Sequence, residues 1–389
     1  MAINSIGRTQ ADTAGFIPIL WAQRALDVLR ANIVLAKIVA RDTDFEPGWK
    51  GKTLNVPFPG TFAAQKKTEG NPTTVSQASN PSSTGVTLSN HSYVDFLVED
   101  FAQAQTNMDL MSRYMDPAAV ALAEQLETDL MALVSSFTVD GGTPGTDLGA
   151  ANLRTARKKL NDGKNPMTDR AVVMGTKDEI AILADSTLAN YFAFAKEGAV
   201  AEGSIGRLYG NDLYVSQLTP LGAYLDVSGA TAGNFTLTFG GQTTGNIAFN
   251  AGAATIQAAL TALTSIGNGN ISVTQAATGK FTLVFAGTLA SNTASFSGTF
   301  GGLTGSGTIR DMTVNLALHK NAILLATRPL SEPPQDSGVK TASVVDPESG
   351  LSIRIQWQYD MSYRGVHCGL DLLYGFTKLR DVAGVRLLQ

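Results

Sequence analysis

Val344–Arg380 reads VVDPESGLSIRIQWQYDMSYRGVHCGLDLLYGFTKLR and lies near the end of a chain of 389 residues. His367 and Cys368 stand next to each other there. Adjacent residues of a strand point to opposite faces, so the pair cannot serve each other as nucleophile and base. Cys368 is the only cysteine, which removes an intrachain disulfide. With only His91, His319 and His367 besides, a structural Cys/His zinc site is all but excluded. An inert buried thiol is the expectation for Cys368.

Moving outward from that segment, the length fits two or three domains at roughly 100–200 residues each. Apolar residues make up 44% and charged residues 16%, with 39 glycines and a formal net charge of −4. Such a chain has no global basic field for bulk binding of nucleic acid or anionic membrane. The start lacks a basic region followed by an unbroken apolar run, and no stretch of about 18 apolar residues occurs. The expectation is a protein made without a signal peptide and without a membrane span.

The charge deficit is local. Residues 227–309 contain one charged side chain, Lys280, and 15 of the 39 glycines. Asn234–Phe239 (NFTLTF) and Lys280–Phe285 (KFTLVF) alternate at period two, as half-buried strands do. Between them Ile256, Leu260 and Leu263 recur at helical spacing, with Asn250 placed to cap that helix and Gly267 to stop it. Gly229–Gly233 and Gly301–Gly307 read as flexible hinges. This is an inserted β-rich domain.

Outside the insert, Ile19, Leu20, Ala22, Ala25, Leu26, Leu29, Ile33, Val34 and Ile38 predict one or two amino-terminal helices behind Pro18. From Trp49 to Glu99 come short strands (LNVPF, TTVSQ, GVTLSN, YVDFLVE) around a polar middle, which we read as a projecting two-stranded hairpin. Asp116-Pro117 reads as the cap and first turn of a long helix with a stripe of Val120, Leu126, Leu130 and Val134. A basic amphipathic helix (Ala150–Asn161), a strand (Arg170–Met174), a helix (Lys177–Asp185) and strands around Leu213–Ser216 follow. The mixture, without regular alternation, is α+β.

Searches for chemistry return little. Gly48–Thr53 ends like a phosphate-binding loop but has two residues between its glycines where four are needed, and a strand follows where a helix should. Asp42, Asp44 and Glu46 have the spacing of calcium-loop ligands, yet Pro47 and Thr53 occupy the positions that need Gly and Glu. No nucleophile-elbow, zinc-protease or dinucleotide motif is present. Arg154, Arg157, Lys158 and Lys159 give one helix a basic side, without interleaved aromatic residues for base stacking. The expectation is a non-enzymatic protein with no cofactor and no metal.

The order of parts then becomes informative. Ile19–Gly60, Gly203–Leu218 (GSIGRLYGNDLYVSQL), Leu318–Leu330 (LHKNAILLATRPL) and above all Val344–Arg380 resemble major capsid proteins of tailed bacteriophages with the Hong Kong 97-type fold. The resemblance covers everything but the insert, about 300 residues in an ordinary multi-domain range. It implies an amino-terminal arm (1–47), an extended loop (48–100) and a peripheral domain with a spine helix (101–200). It further implies an apical domain (201–226 and 310–343), the insertion domain (227–309) and carboxy-terminal strands (344–389).

By the same resemblance, the chain assembles as hexamers and pentamers into an icosahedral shell around double-stranded DNA, bound without sequence specificity. A separate scaffolding protein, a portal protein and a decoration protein are the implied partners. The implied place is the virion, with assembly in the host cytoplasm. Candidate inter-subunit contacts are Trp49, Lys66, Lys67, Glu69, Arg154 and Arg157. An encapsulin-like compartment shell and a phage surface or decoration protein are the alternatives.

Overall fold

The structure is a computed structural model. It describes residues 22–29, 33–41, 52–58, 64, 66–67, 69–70, 82–105, 110–185, 206–334, 338–345 and 350–389. Trp49, the Asp42–Glu46 carboxylates, most of Gly48–Thr53, the TTVSQ run, Ile19 and Leu20 lie outside the described residues.

The terminal segment does form strands. Gly365–Lys378, 14 residues, is the hub of a six-stranded sheet. Ser352–Asp360 pairs along one side of it and Lys340–Val345 lies beyond at the edge. On the other side Asn90–Glu99 pairs with Gly365–Tyr374, and Ile323–Thr327 takes over from Tyr374 to Lys378. Asn90–Glu99 is therefore part of this sheet and not of the hairpin to which the sequence assigned YVDFLVE. Its period-two alternation is that of a strand with one face on a core: Val94 and Phe96 pack there, and Val98 is buried.

The hairpin itself is Thr53–Phe58 against Ser82–Thr87. Leu54, Val56 and Val86 are buried at its base against Ala40, Leu324, Ala326 and Leu379. It leaves the body beside Gly375, where the hub strand changes partners. A Cβ on Gly375 would lie 2.2 Å from the Thr87 carbonyl oxygen, so only glycine admits this backbone crossing.

Across one face of the sheet lies the helix Leu110–Ala132, the longest helix among the described residues. It runs straight through Asp116-Pro117, which the sequence reading made its start. An interior proline removes one hydrogen bond and costs about 3 kcal/mol. Burial of Met115, Ala118, Ala119 and Leu122 around it offsets that cost. Asp116 turns outward to Arg24, 2.6 Å away, on the helical residues 22–29. Of the expected stripe, Leu126, Leu130 and Val134 are buried in the main core with Leu29, Leu35, Ile353, Leu370 and Leu372.

A buried carboxylate fixes the amino-terminal turn on this helix. Glu127 accepts from the Leu35 N–H at 2.8 and 3.0 Å and from the Val34 N–H at 3.3 Å, capping the short helix Leu35–Ile38. Burial pushes its carboxyl above the usual range, opposed by those amide bonds.

The second sheet has twelve strands and joins body to insert. In the body, Leu303–His319 pairs with Arg170–Met174 and with Gly384–Leu388. The helix Ala150–Asp162 buries Ala150, Leu153, Ala156 and Leu160 in a smaller core with Val172, Met174, Ile182, Ala317 and Leu387. Thr176–Ala184 adds Asp178, which accepts from Thr313 Oγ1 and from Asn315 Nδ2 while Asn315 accepts from the Gly175 N–H.

The insert grows out of this sheet on two unbroken strands. Leu221–Phe239 and Leu303–His319 pair from Leu221↔Thr313 to Gly233↔Leu303, with irregularities at Thr304/Gly305 and Ser306/Thr308. The glycine-rich exits are thus paired strand and not hinges. Gly305 has φ +117, and a Cβ there would stand 2.1 Å from the Gly229 carbonyl oxygen. These glycines serve close approach and bulging, not looseness.

The core of the insert collects Leu225, Phe235, Leu237, Ile256, Leu260, Phe281 and Leu283 around a stack of Phe239, Phe285 and Phe296. Its helix, Ala253–Thr261, is capped by Gly252 without a side-chain bond, so Asn250 does not cap it. Gln257 instead reaches sideways to accept from the Val273 N–H of the edge strand at 3.2 Å. Gly267 does close the helical region, its N–H bonding back to Leu263.

Candidate assembly interface

Alternation along the hub strand divides its side chains. Cys368, Leu370, Leu372 and Tyr374 face the long helix, and Gly369 and Asp371 fall on the opposite face with His367. Register adds Tyr93, Asp95 and His91 from one neighbour and Arg354, Gln356, Gln358 and Asp360 from the other. This second face forms an open groove with Gly369 as floor and Tyr93, Gln356, His367 and Asp371 around it.

The groove is held by charge. Arg354 Nη2 and Nε donate to Asp371 Oδ2 at 2.6 and 3.1 Å, and Nη1 donates to the Ser331 carbonyl at 2.6 Å. The other oxygen of Asp371 stands 3.4 Å from His91 Nε2. His367 lies between carboxylates, 3.4 Å from Asp95 and 3.9 Å from Asp360. The two acids sit on opposite ring nitrogens and do not converge on one point. Asp360 accepts from the Ser362 N–H at 2.7 Å, and that bond holds its carboxyl below the usual range.

Cys368 points into the core, away from His367, as the strand reading requires. Burial, aided by the charge of Asp95, pushes its thiol up to about 12, so it is not a thiolate nucleophile at neutral pH. His319 is equally occupied. Its Nδ1 accepts from the Asn321 N–H at 3.2 Å, and burial lowers its pKa. Among the described residues no group of three or more His, Cys, Asp and Glu side chains is arranged to hold a metal ion. No helix among them is long and apolar enough to cross a membrane.

The candidate contact residues are scattered. Lys66, Lys67 and Glu69 are exposed in the polar middle between the hairpin strands. Arg154 is exposed on the basic helix, whereas Arg157 turns inward and donates to the Tyr209 carbonyl at 2.5 Å. Arg157 therefore holds a turn of its own chain. Sequence reasoning missed the Arg354–Asp371 pair because the two residues meet only through strand register. It also missed Glu127, a single carboxylate inside an otherwise ordinary helix.

Comparison with solved structures defines the fold. A Mycobacterium phage Che8 structure aligns over 92% of this chain and 91% of its own, with TM-score 0.50 and 13% identity. The capsid structure of the Cyanophage P-SCSP1u aligns over 91% of this chain and 87% of its own, with TM-score 0.50 and 13% identity. The chain has the α+β fold of a phage capsid protein. No protein-family model matches the sequence, and no curated protein matches it.

Proposed function

We propose that this chain is the major capsid protein of a tailed double-stranded DNA phage, assembling as hexamers and pentamers into an icosahedral shell. The observation that carries the reading is the alignment of nearly the whole chain with the capsid structure of the Cyanophage P-SCSP1u. The open face of the six-stranded sheet and the hairpin at its side support it. The sheet face exposes polar residues and Tyr93, and the hairpin exposes polar residues, surface that a neighbouring subunit would cover. In this reading residues 53–87 belong to the extended loop and Leu110–Ala132 is the spine helix. Residues 227–309 decorate the outer surface, and scaffolding, portal and decoration proteins are supplied by other chains.

Assembly is a matter of many modest contacts. Each exposed ion pair contributes about 0–1 kcal/mol, which lets misplaced subunits leave and return. Electron microscopy of the purified chain, alone and with a scaffolding protein from the same genome, is the test. Closed shells are expected, with residues 227–309 on the outside. Persistent monomers under all assembly conditions overturn the reading.

A further inference from the structure

Of the large apolar side chains left exposed on the described surface, Phe101, Tyr359, Met361 and Tyr363 lie at one end of the hub strand and Met167 and Val382 at the other. At ~3.3 Å per residue Gly365–Lys378 spans roughly 45 Å, so its ends are far apart. Just before it, the turn 361–364 carries Met361, 69% exposed, and Tyr363, and the abutting helix Asp100–Gln105 carries Phe101, 72% exposed. This tip has a fixed shape. Tyr359 Oη donates to Asp100 at 2.6 Å, and the Asp100 N–H donates to the Arg364 carbonyl at 2.9 Å. Around it stand Asp95, Glu99, Asp100 and Asp360, with Arg364 and the half-buried His367 as the basic groups facing them.

The far end has the opposite sign. Beyond Lys378 the chain reaches Val382, whose carbonyl accepts from Asn165 Nδ2 at 2.7 Å, and Met167, 62% exposed, lies on the same loop as Asn165. Lys159, Lys164 and Arg380 are exposed here, and Lys320 is half-buried. The acids at this end are Asp162, Asp169 and Asp381, the last held by Lys378 at 2.8 Å.

We propose that the two ends are the halves of one contact between copies of this chain, the acidic aromatic tip of one copy seating on the basic apolar end of the next. The inference rests on the shell reading for its partner and goes beyond it in naming the surfaces. The ends cannot meet within one chain. Tip against tip would bring two sets of carboxylates together, whereas tip against base joins opposite charges around apolar centres. A contact between two different patches repeats from copy to copy and builds rings or larger arrays instead of stopping at a dimer.

The test uses the full chain and reads the assembled fraction by sedimentation. Glu99→Lys with Met361→Lys reverses the tip, and Lys164→Glu with Arg380→Glu reverses the base. Each pair is expected to lower the assembled fraction at least tenfold, and the four changes together to restore most of it. The replaced side chains are all exposed, so thermal unfolding should match the parent chain. A second measurement needs no variant: carbodiimide cross-linking of particles assembled from mixed light and heavy-isotope chains should join Glu99 or Asp360 of one copy to Lys159 or Lys164 of another. Pairs that assemble like the parent chain, a quadruple variant no better than the pairs, or no such inter-copy cross-link would each overturn the contact while leaving parent shells standing. A parent chain that stays monomeric overturns the shell reading and the contact together.

Discussion

The six-stranded sheet and the insert achieve specificity by different means. The sheet fixes its register with polar pairs, Arg354 on Asp371 and His367 between Asp95 and Asp360. The insert has one charged residue and relies on a phenylalanine stack, threonine pairs such as Thr238 with Thr243 at 2.8 Å, and backbone approaches that admit only glycine. Paired charges are selective toward partners and sensitive to their loss, whereas apolar packing with backbone crossings is selective only toward its own fold. The difference teaches that one chain sets register in its body with paired polar side chains and in its insert with apolar packing.

The largest break in this comparison should come from Phe285→Ala. It opens the aromatic stack and is expected to cost about 3–5 kcal/mol. Hydrogen exchange should then quicken across residues 223–309 and leave the long helix protected; equal loss in both regions would mean that they share one stability. In the body, Arg354→Met strands the Asp371 carboxylate and should cost about 3–5 kcal/mol, while Arg354→Met with Asp371→Leu should cost clearly less. Urea unfolding of the three chains decides it, and a double variant as weak as the single would show that the charge pair is not the unit.

Gly305→Ala in the insert and Gly375→Ala in the body should each cost about 2–3 kcal/mol, because the new Cβ meets a carbonyl oxygen. Gly245→Ala, with open space around it, should change stability by less than about 0.5 kcal/mol and is the control. The smallest effect concerns pH. Glu127 holds its proton more tightly folded than unfolded, so stability falls as pH rises from the ordinary value of about 4.3 through its raised folded value. Glu127→Gln should flatten that slope in the body. The insert, lacking any buried acid, should show none in either chain.

Periodicity made most elements legible. Leu126, Leu130 and Val134 announce the long helix, and NFTLTF and KFTLVF announce the insert strands. What failed were readings of local punctuation. Asp116-Pro117 is a strong helix start in isolation, but packing on both sides of it carries the helix through. Gly229–Gly233 and Gly301–Gly307 look like linkers until pairing shows that Gly233, Gly302 and Gly305 each answer a backbone carbonyl on the opposite strand. The charged face of the six-stranded sheet was the least legible part. Asp95 is far in sequence from Asp360 and His367, and only the register of three strands brings it beside His367.

The paired stem has a practical consequence. Leu221–Phe239 and Leu303–His319 enter the insert as neighbours in a ladder, so the two points at which it joins the body are about 5 Å apart. Any foreign module whose own first and last residues lie that close could be grafted onto the same two strands without parting them. In the proposed shell, the two strands would offer that graft point once per subunit.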